Sequence, residues 1–225
     1  ELHLEVKIHE LSSKYKVEVN VGEPQIMYKE AITKSIEHSE HLHKQTGGRG
    51  KYADITVLIE PIEEDSDMVF ENRTKGGVIP REFIPSIEKG FRSCISNGTI
   101  KGYPMNGFKV TLIDGKTHPV DSDALSFEMA AVDAFKNAIP KAAPVLLEPI
   151  MKAEVTVPED YVGSVMGDIT RRRGHILGTS DNGGNMVIKT TVPLSEMVGY
   201  TTSLRTMTAG RGSFSMELSH YDKCK

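Results

Sequence analysis

Hydrophobic and polar positions alternate most regularly between residues 54 and 59, where Ile55, Val57 and Ile59 interleave with Asp54, Thr56 and Leu58. That period of two predicts a strand with one buried face. Phe108, Val110 and Leu112 repeat it. A helical period follows at Ile84, Ile87, Phe91 and Ile95, starting near Pro85 and stopping at Asn97-Gly98. A second helix carries Leu125, Met129, Val132 and Ile139, capped by Asp121 or Ser122 and stopped by Pro140. From Tyr28 to His41 the pattern is undecided, because Tyr28, Ile32 and Ile36 suit either period.

The last third of the chain predicts strand–helix–strand–strand–helix–strand. Met151, Ala153, Val155 and Val157 alternate. Pro158 suits a first helical position, and Val162, Val165, Met166 and Ile169 form the buried face of a helix broken at Gly174. Asp181-Asn182-Gly183-Gly184 is a turn between two strands. Pro193 opens a helix with Leu194, Met197, Thr201 and Leu204 on one side, closed by Gly210 and Gly212. Phe214, Met216 and Leu218 alternate in the final strand. This order is that of the ferredoxin-like split βαβ. At the other end, Leu4, Ile8, Leu11 and Tyr15 have helical spacing, while Leu2, Leu4, Val6 and Ile8 also alternate. Residues 1–22 are expected to form a helix and the short strand Lys16 to Val21, too little to fold alone. Three parts follow: 1–22 as the tail of a preceding domain, 23–148 as a mixed domain, and 149–225. The stretch Ala142-Ala143-Pro144 marks the boundary between the last two, and the chain reads as a piece of a longer protein.

Composition narrows the function classes. The 225 residues carry no Trp and only 6% aromatics, so the cores must be mostly aliphatic. A net charge of −4 means that any RNA contact has to come from local basic patches. Two cysteines, Cys94 and Cys224, make no disulfide framework. No apolar run approaches the ~18 residues of a membrane span, and there is no signal-peptide pattern, so the expected location is the cytoplasm.

Neither G-x-x-x-x-G-K-[ST] nor a helix-opening G-x-G-x-x-G occurs, so nothing cradles a nucleotide phosphate. His38, His41 and His43 form an H-x-x-H-x-H cluster, but on a strand His38 points away from the other two, which is short of a metal's ligand set. His118, Asp121 and Ser122 lack an oxyanion turn, so no catalytic triad is assigned. The acidic run Glu63-Glu64-Asp65 to Asp67 reads as a solvated turn. From Lys44 to Lys51 the chain has three cations, three glycines and no acid. Glycines let backbone N–H groups approach a phosphate, and the cations supply charge. Arg171, Arg172 and Arg173 end a helix, where they suit either RNA or the helix dipole alone.

Taken in order, these motifs resemble elongation factor G. The resemblance rests on Gly47-Gly-Arg-Gly50 with Tyr52, Gly76-Gly-Val-Ile-Pro80 and Ile84-Pro85, then His118 with Val120-Asp-Ser122. It continues through Pro144-Val-Leu-Leu-Glu-Pro-Ile-Met-Lys152, Gly167-Asp168, Arg171-Arg-Arg-Gly174, Pro193-Leu-Ser-Glu-Met197 and Gly199-Tyr200. It implies an α+β chain: the end of a third domain, a fourth domain that is ribosomal-protein-S5-like with a left-handed crossover, and a ferredoxin-like fifth. It implies a ribosome partner, with transfer and messenger RNA, for a monomeric protein without a membrane. Gly47, Gly48, Arg49, Gly50 and Lys51, with His118 and Asp121, would form the tip reaching the decoding region of the small subunit. Arg171, Arg172 and Arg173 would face large-subunit RNA near the factor-binding stalk. GTP and Mg would bind in an upstream domain, leaving this piece without cofactor or catalysis.

Pro119, Met105-Asn106-Gly107 and Ala53 depart from the family's usual residues. They leave open a specialised copy acting in ribosome recycling, stress or antibiotic protection. A generic ferredoxin-like RNA-binding module is the other reading, although Phe214 and Tyr221 do not make the usual stacking pattern. A zinc hydrolase on His38, His41 and His43 is a third.

Overall fold

The computed structural model describes residues 25–45, 47–63 and 67–225. The helix and strand expected within residues 1–22 lie outside the described residues. Two compact units are present, one formed by Lys29–Leu146 and the other by Leu147–Lys225 with residues 25–28.

In the first unit the undecided segment resolves as two strands, β1 (Lys29–Ala31) and β2 (Ile36–Lys44). Then come β3 (Lys51–Pro61), β4 (Val69–Asn72), α1 (Ile84–Ser93), β5 (Phe108–Lys116) and α2 (Ala124–Ala138). One sheet has the order β2-β3-β5-β4. Its first two pairings are antiparallel, while β4 and β5, linked through α1, run parallel. Ala53, Ile55, Val57 and Ile59 are fully buried along β3, which is the predicted alternation. Helix α2 packs on β2 and β3, and α1 packs on α2.

Two helix expectations need correction. The first helix ends at Ser93, before Ile95, with Cys94 as its C-cap. The buried face of α2 is Phe127, Ala130, Ala131, Ala134, Phe135 and Ala138, while Leu125 stays exposed. The sequence pattern favoured the larger side chains. The tertiary fold buries two phenylalanines and four alanines instead, and the alanines let α2 lie close to the sheet and to α1. Its N-cap is Asp123, whose carboxylate accepts from the Ser126 amide at 2.8 Å, and not Asp121 or Ser122.

β1 carries a buried acid that sequence patterning did not single out. Glu30 is fully buried, and its carboxylate accepts the backbone N–H groups of Ile100, Lys101 and Tyr103 at 2.7, 3.0 and 2.9 Å. Gly98 is required beside it, since a Cβ there would lie 2.3 Å from Oε1. One carboxylate thereby supplies the acceptors that the 98–103 turn cannot find in itself.

The second unit runs β6 (Val145–Pro158), α3 (Val162–Arg171), β7 (His175–Asn182), β8 (Asn185–Pro193), α4 (Tyr200–Met207) and β9 (Ser213–Lys223). Its strands order as β9-β6-β8-β7, every neighbour antiparallel. This is the ferredoxin-like arrangement. Gly183 and Gly184 have φ of 61° and 94°, as the two central residues of a tight hairpin turn demand. The helix expected to run on from Pro193 is interrupted. A 3₁₀ turn, Leu194–Met197, is followed by Gly199 at φ 70° before α4 begins. Leu218 is 38% exposed although it pairs with the buried Met151, and β9 shifts register against β6 just beyond it, between Ile150 and Met151. No described helix is long and apolar enough to cross a membrane.

Candidate nucleic-acid interface

Strands β2 and β3 form a hairpin whose connection holds the Gly47–Gly50 motif. Gly47 has φ 52°, and Gly47, Gly48 and Arg49 are exposed. The connection from β5 to α2, residues 117–123, lies against it. Arg49 donates from Nε to the Val120 carbonyl at 3.0 Å. The Gly50 amide donates to Asp121 Oδ1 at 3.2 Å, and the Tyr52 amide to the Asp121 carbonyl at 2.9 Å. Gly50 is buried there, since a Cβ would sit 2.9 Å from the Lys44 carbonyl oxygen and 3.0 Å from Asp121 Oδ2. Ser122 donates to the Tyr52 carbonyl at 2.7 Å and accepts the His118 amide at 2.8 Å. Lys51 Nζ lies 2.8 Å from Asp123 Oδ2. The two loops are thus one structure, joined by bonds between residues far apart in sequence.

The predicted tip residues divide into two groups. Gly50, Lys51 and Asp121 build the tip, with their polar groups spent inside it. Gly47, Gly48, Arg49 and His118 are presented outward. His118 Nδ1 accepts the amides of Val120 at 3.1 Å and Asp121 at 3.0 Å. Asp121 Oδ2 lies 3.8 Å from the same nitrogen, a separation that would suit an ion pair. Two amides aimed at Nδ1 decide against that pairing and assign the hydrogen to Nε2. The half-exposed ring therefore offers an N–H donor. Burial tends to raise the Asp123 carboxyl, but the Lys51 ammonium and the Ser126 hydroxyl and amide outweigh it and hold the group at about 2.

The three arginines differ in their surroundings. Arg171 is exposed over 76% of its side chain, with a 3.4 Å contact to Asp168. Arg172 is turned inward. It bonds Asp168 Oδ2 at 3.0 Å, the carbonyls of Glu196 and Val198, and Ser203 Oγ at 3.1 Å, and its guanidinium lies 5.1 Å from the Tyr200 ring centre. Arg173 forks onto Glu148 at 3.1 and 3.4 Å and reaches Glu196 at 3.0 Å. Glu148 first, then Glu196, pushes the Arg173 guanidinium further up from its already high value.

The histidine motif splits as strand geometry predicts. His38 faces α2 and lies 3.2 Å from Glu40 Oε1. His41 and His43 lie on the opposite face beside Tyr52. Among the described residues, no three His, Cys, Asp or Glu side chains gather into a cation-sized cluster. Asp123 escaped sequence reasoning, and Ser122 was singled out as a cap candidate and motif residue but not as the brace between the loops. The Asp-x-x-Ser spacing from Asp123 to Ser126 was the local signal available for the cap.

Comparison with known proteins bears on both units. The model of elongation factor G, domain IV, matches residues 24–143, and that of the elongation factor G C-terminus matches residues 145–225. Elongation factor G 1 of Methylococcus capsulatus is 54% identical over 225 residues, 100% of this chain and 32% of that protein. Elongation factor G of Cytophaga hutchinsonii is 52% identical over 223 residues, 99% of this chain and 32% of that protein. A crystal structure of a Thermus thermophilus protein aligns at a TM-score of 0.80 and 40% identity, covering 100% of this chain and 33% of that one. The chain therefore spans about a third of the length of the curated relatives it matches.

Proposed function

The chain belongs to the elongation factor G family, and from that premise we propose that it is the ribosome-engaging part of a translation elongation factor. The observation that carries this reading is the two-loop tip. It is braced internally by Asp121, Ser122 and the Lys51–Asp123 pair, yet presents His118 Nε2–H, Arg49 and Gly47–Gly48 to solvent. Exposed backbone amides, an imidazole donor and a guanidinium suit RNA phosphates and 2′-hydroxyls. A braced tip also holds its donors in place, so little ordering cost is paid on contact.

In this reading the factor promotes GTP-dependent movement of transfer and messenger RNA through the ribosome, as a cytoplasmic monomer. Its tip faces the small-subunit decoding region. Its C-terminal domain meets large-subunit RNA near the stalk through Arg171, with Arg172 and Arg173 positioning the helix end. GTP and Mg are bound elsewhere in the factor, since no phosphate-loop sequence occurs in these 225 residues.

The test uses the full-length factor with His118→Asn. The Asn side-chain oxygen can still accept the turn amides, while the outward imidazole N–H is lost. Single-turnover translocation on programmed ribosomes is expected to slow by roughly 5- to 150-fold, the equivalent of one ~1–3 kcal/mol contact, with GTP hydrolysis nearly unchanged. An unchanged rate at saturating factor would remove His118 from the reading. Normal translocation in an Arg49→Gln, His118→Asn double variant would overturn the tip's role.

A further inference from the structure

His41, His43 and Tyr52 take no part in bracing the tip through their side chains, yet they form a continuous group of rings leading away from it. His41 and His43 lie 5.3 and 6.0 Å from the Tyr52 ring centre and 6.1 Å from each other. At the tip end, the Tyr52 and His118 centres are 5.8 Å apart. All three sit on the face of the β2–β3 hairpin opposite α2. His41 is 55% exposed at its side chain, and His43 is exposed. His41 is held in place by a 3.2 Å contact from Nδ1 to Asp54.

We propose that this face of the hairpin stem is a stacking platform for an unpaired RNA strand, continuing the tip's contact along the stem. The proposal rests on the ribosome-engaging reading above and adds residues and a substrate class to it. Rings displayed on an antiparallel sheet face are how sheet-based modules take unstacked bases. Every base has a π-face, so such a platform needs no sequence preference. The charge pattern fits an RNA strand. The one carboxylate among the rings, Asp54, is engaged by His41, and its cross-strand neighbour on β5 is the exposed Lys116. Further down the stem the rings give way to the bonded pair Ser39–Thr56, with the exposed Asp114 opposite Thr56 on β5, then to the exposed Glu37. The platform is therefore confined to the tip end, where Arg49 is available for phosphate.

The test uses the 225-residue chain and a short unpaired oligoadenosine RNA carrying 2-aminopurine. Wild-type protein is expected to quench the probe on binding. His41→Thr with His43→Thr keeps strand-forming residues at both exposed positions. It is expected to weaken binding by about 5- to 150-fold per stacked base lost and to abolish the quench, with the salt slope unchanged. His41→Phe with His43→Phe should restore the quench, since stacking needs a ring and not a charge. Unchanged affinity and quench in the folded Thr variant would overturn the platform, as would failure of the Phe variant to rescue. Loss of ribosome binding with free-RNA binding intact would assign the face to a ribosomal protein and overturn it as well. Failure of the wild-type chain to bind ribosomes strikes the functional reading alone, because the platform is measured on free RNA.

Discussion

Two carboxylates make the residue-scale case. Glu30 is a buried charge satisfied only by backbone N–H groups. Glu30→Gln keeps the volume but puts an NH₂ group against at least one donor. It is expected to cost about 2–3 kcal/mol, read as a lower urea midpoint with an unchanged slope. An unchanged midpoint would mean that the 98–103 turn stands without it. Asp123 differs because its stabilising effect depends on pH. Its folded carboxyl titrates at about 2, below the ordinary 3.8, so the native state binds its proton less readily than the unfolded chain. The resulting stability is present above pH 3.8 and is lost as pH falls through the folded value. Asp123→Asn should lower stability by about 1–2 kcal/mol at neutral pH, after allowance for partial exposure. The gap from wild type should close between about pH 4 and 2 in parallel urea titrations. A gap independent of pH would show that the ionised carboxylate does not carry the effect.

At the scale of the element, the end of α3 shows side-chain chemistry overriding backbone preference. The Gly174 amide returns to the Ile169 carbonyl at 2.9 Å and the Arg173 amide to Thr170 at 3.1 Å, the two bonds of a Schellman motif. The left-handed position at φ 60° is filled by Arg173, where glycine is usual. That conformation costs roughly 1–2 kcal/mol for a residue with a Cβ. From there the guanidinium meets Glu148, whose side chain is 6% exposed, and that pairing offsets the strain. Arg173→Gly relieves the strain but strands the acid, an expected net loss of about 2–4 kcal/mol. Adding Glu148→Gln should recover much of that loss in a double-mutant cycle. Strictly additive effects would mean that the pair does not interact.

For the whole molecule, a net charge of −4 is compatible with RNA binding only through local, exposed cations. The structure reduces the arginine triplet to one such cation, Arg171. Arg171→Gln should leave thermal stability unchanged and flatten the dependence of log affinity for ribosomes on log salt by ~0.7–0.9. Arg172→Gln should instead act through stability, as its guanidinium ties α3 to the 196–198 segment and to α4. An unchanged slope in Arg171→Gln would take the C-terminal domain's arginines out of the RNA contact altogether.

Local period and turn chemistry were enough to determine β3, β5, the strand and helix order of the second unit, and the Gly183-Gly184 hairpin. Each depends on residues within a few positions of one another, so the sequence contains the whole cause. What needed the tertiary structure depends on distant partners. Helix α2 buries its alanines because α1 and the sheet approach there, and the undecided stretch becomes two strands because β3 offers β2 a partner. Asp121 and His118 proved to be bracing groups, through bonds to the hairpin 71 residues away and to their own turn. Arg171, Arg172 and Arg173 are identical as letters. A helix turns successive side chains by about 100°, and its left-handed end turns the last one further. Only the neighbours waiting in those directions, solvent for one and buried acids and carbonyls for the others, decided what each arginine does.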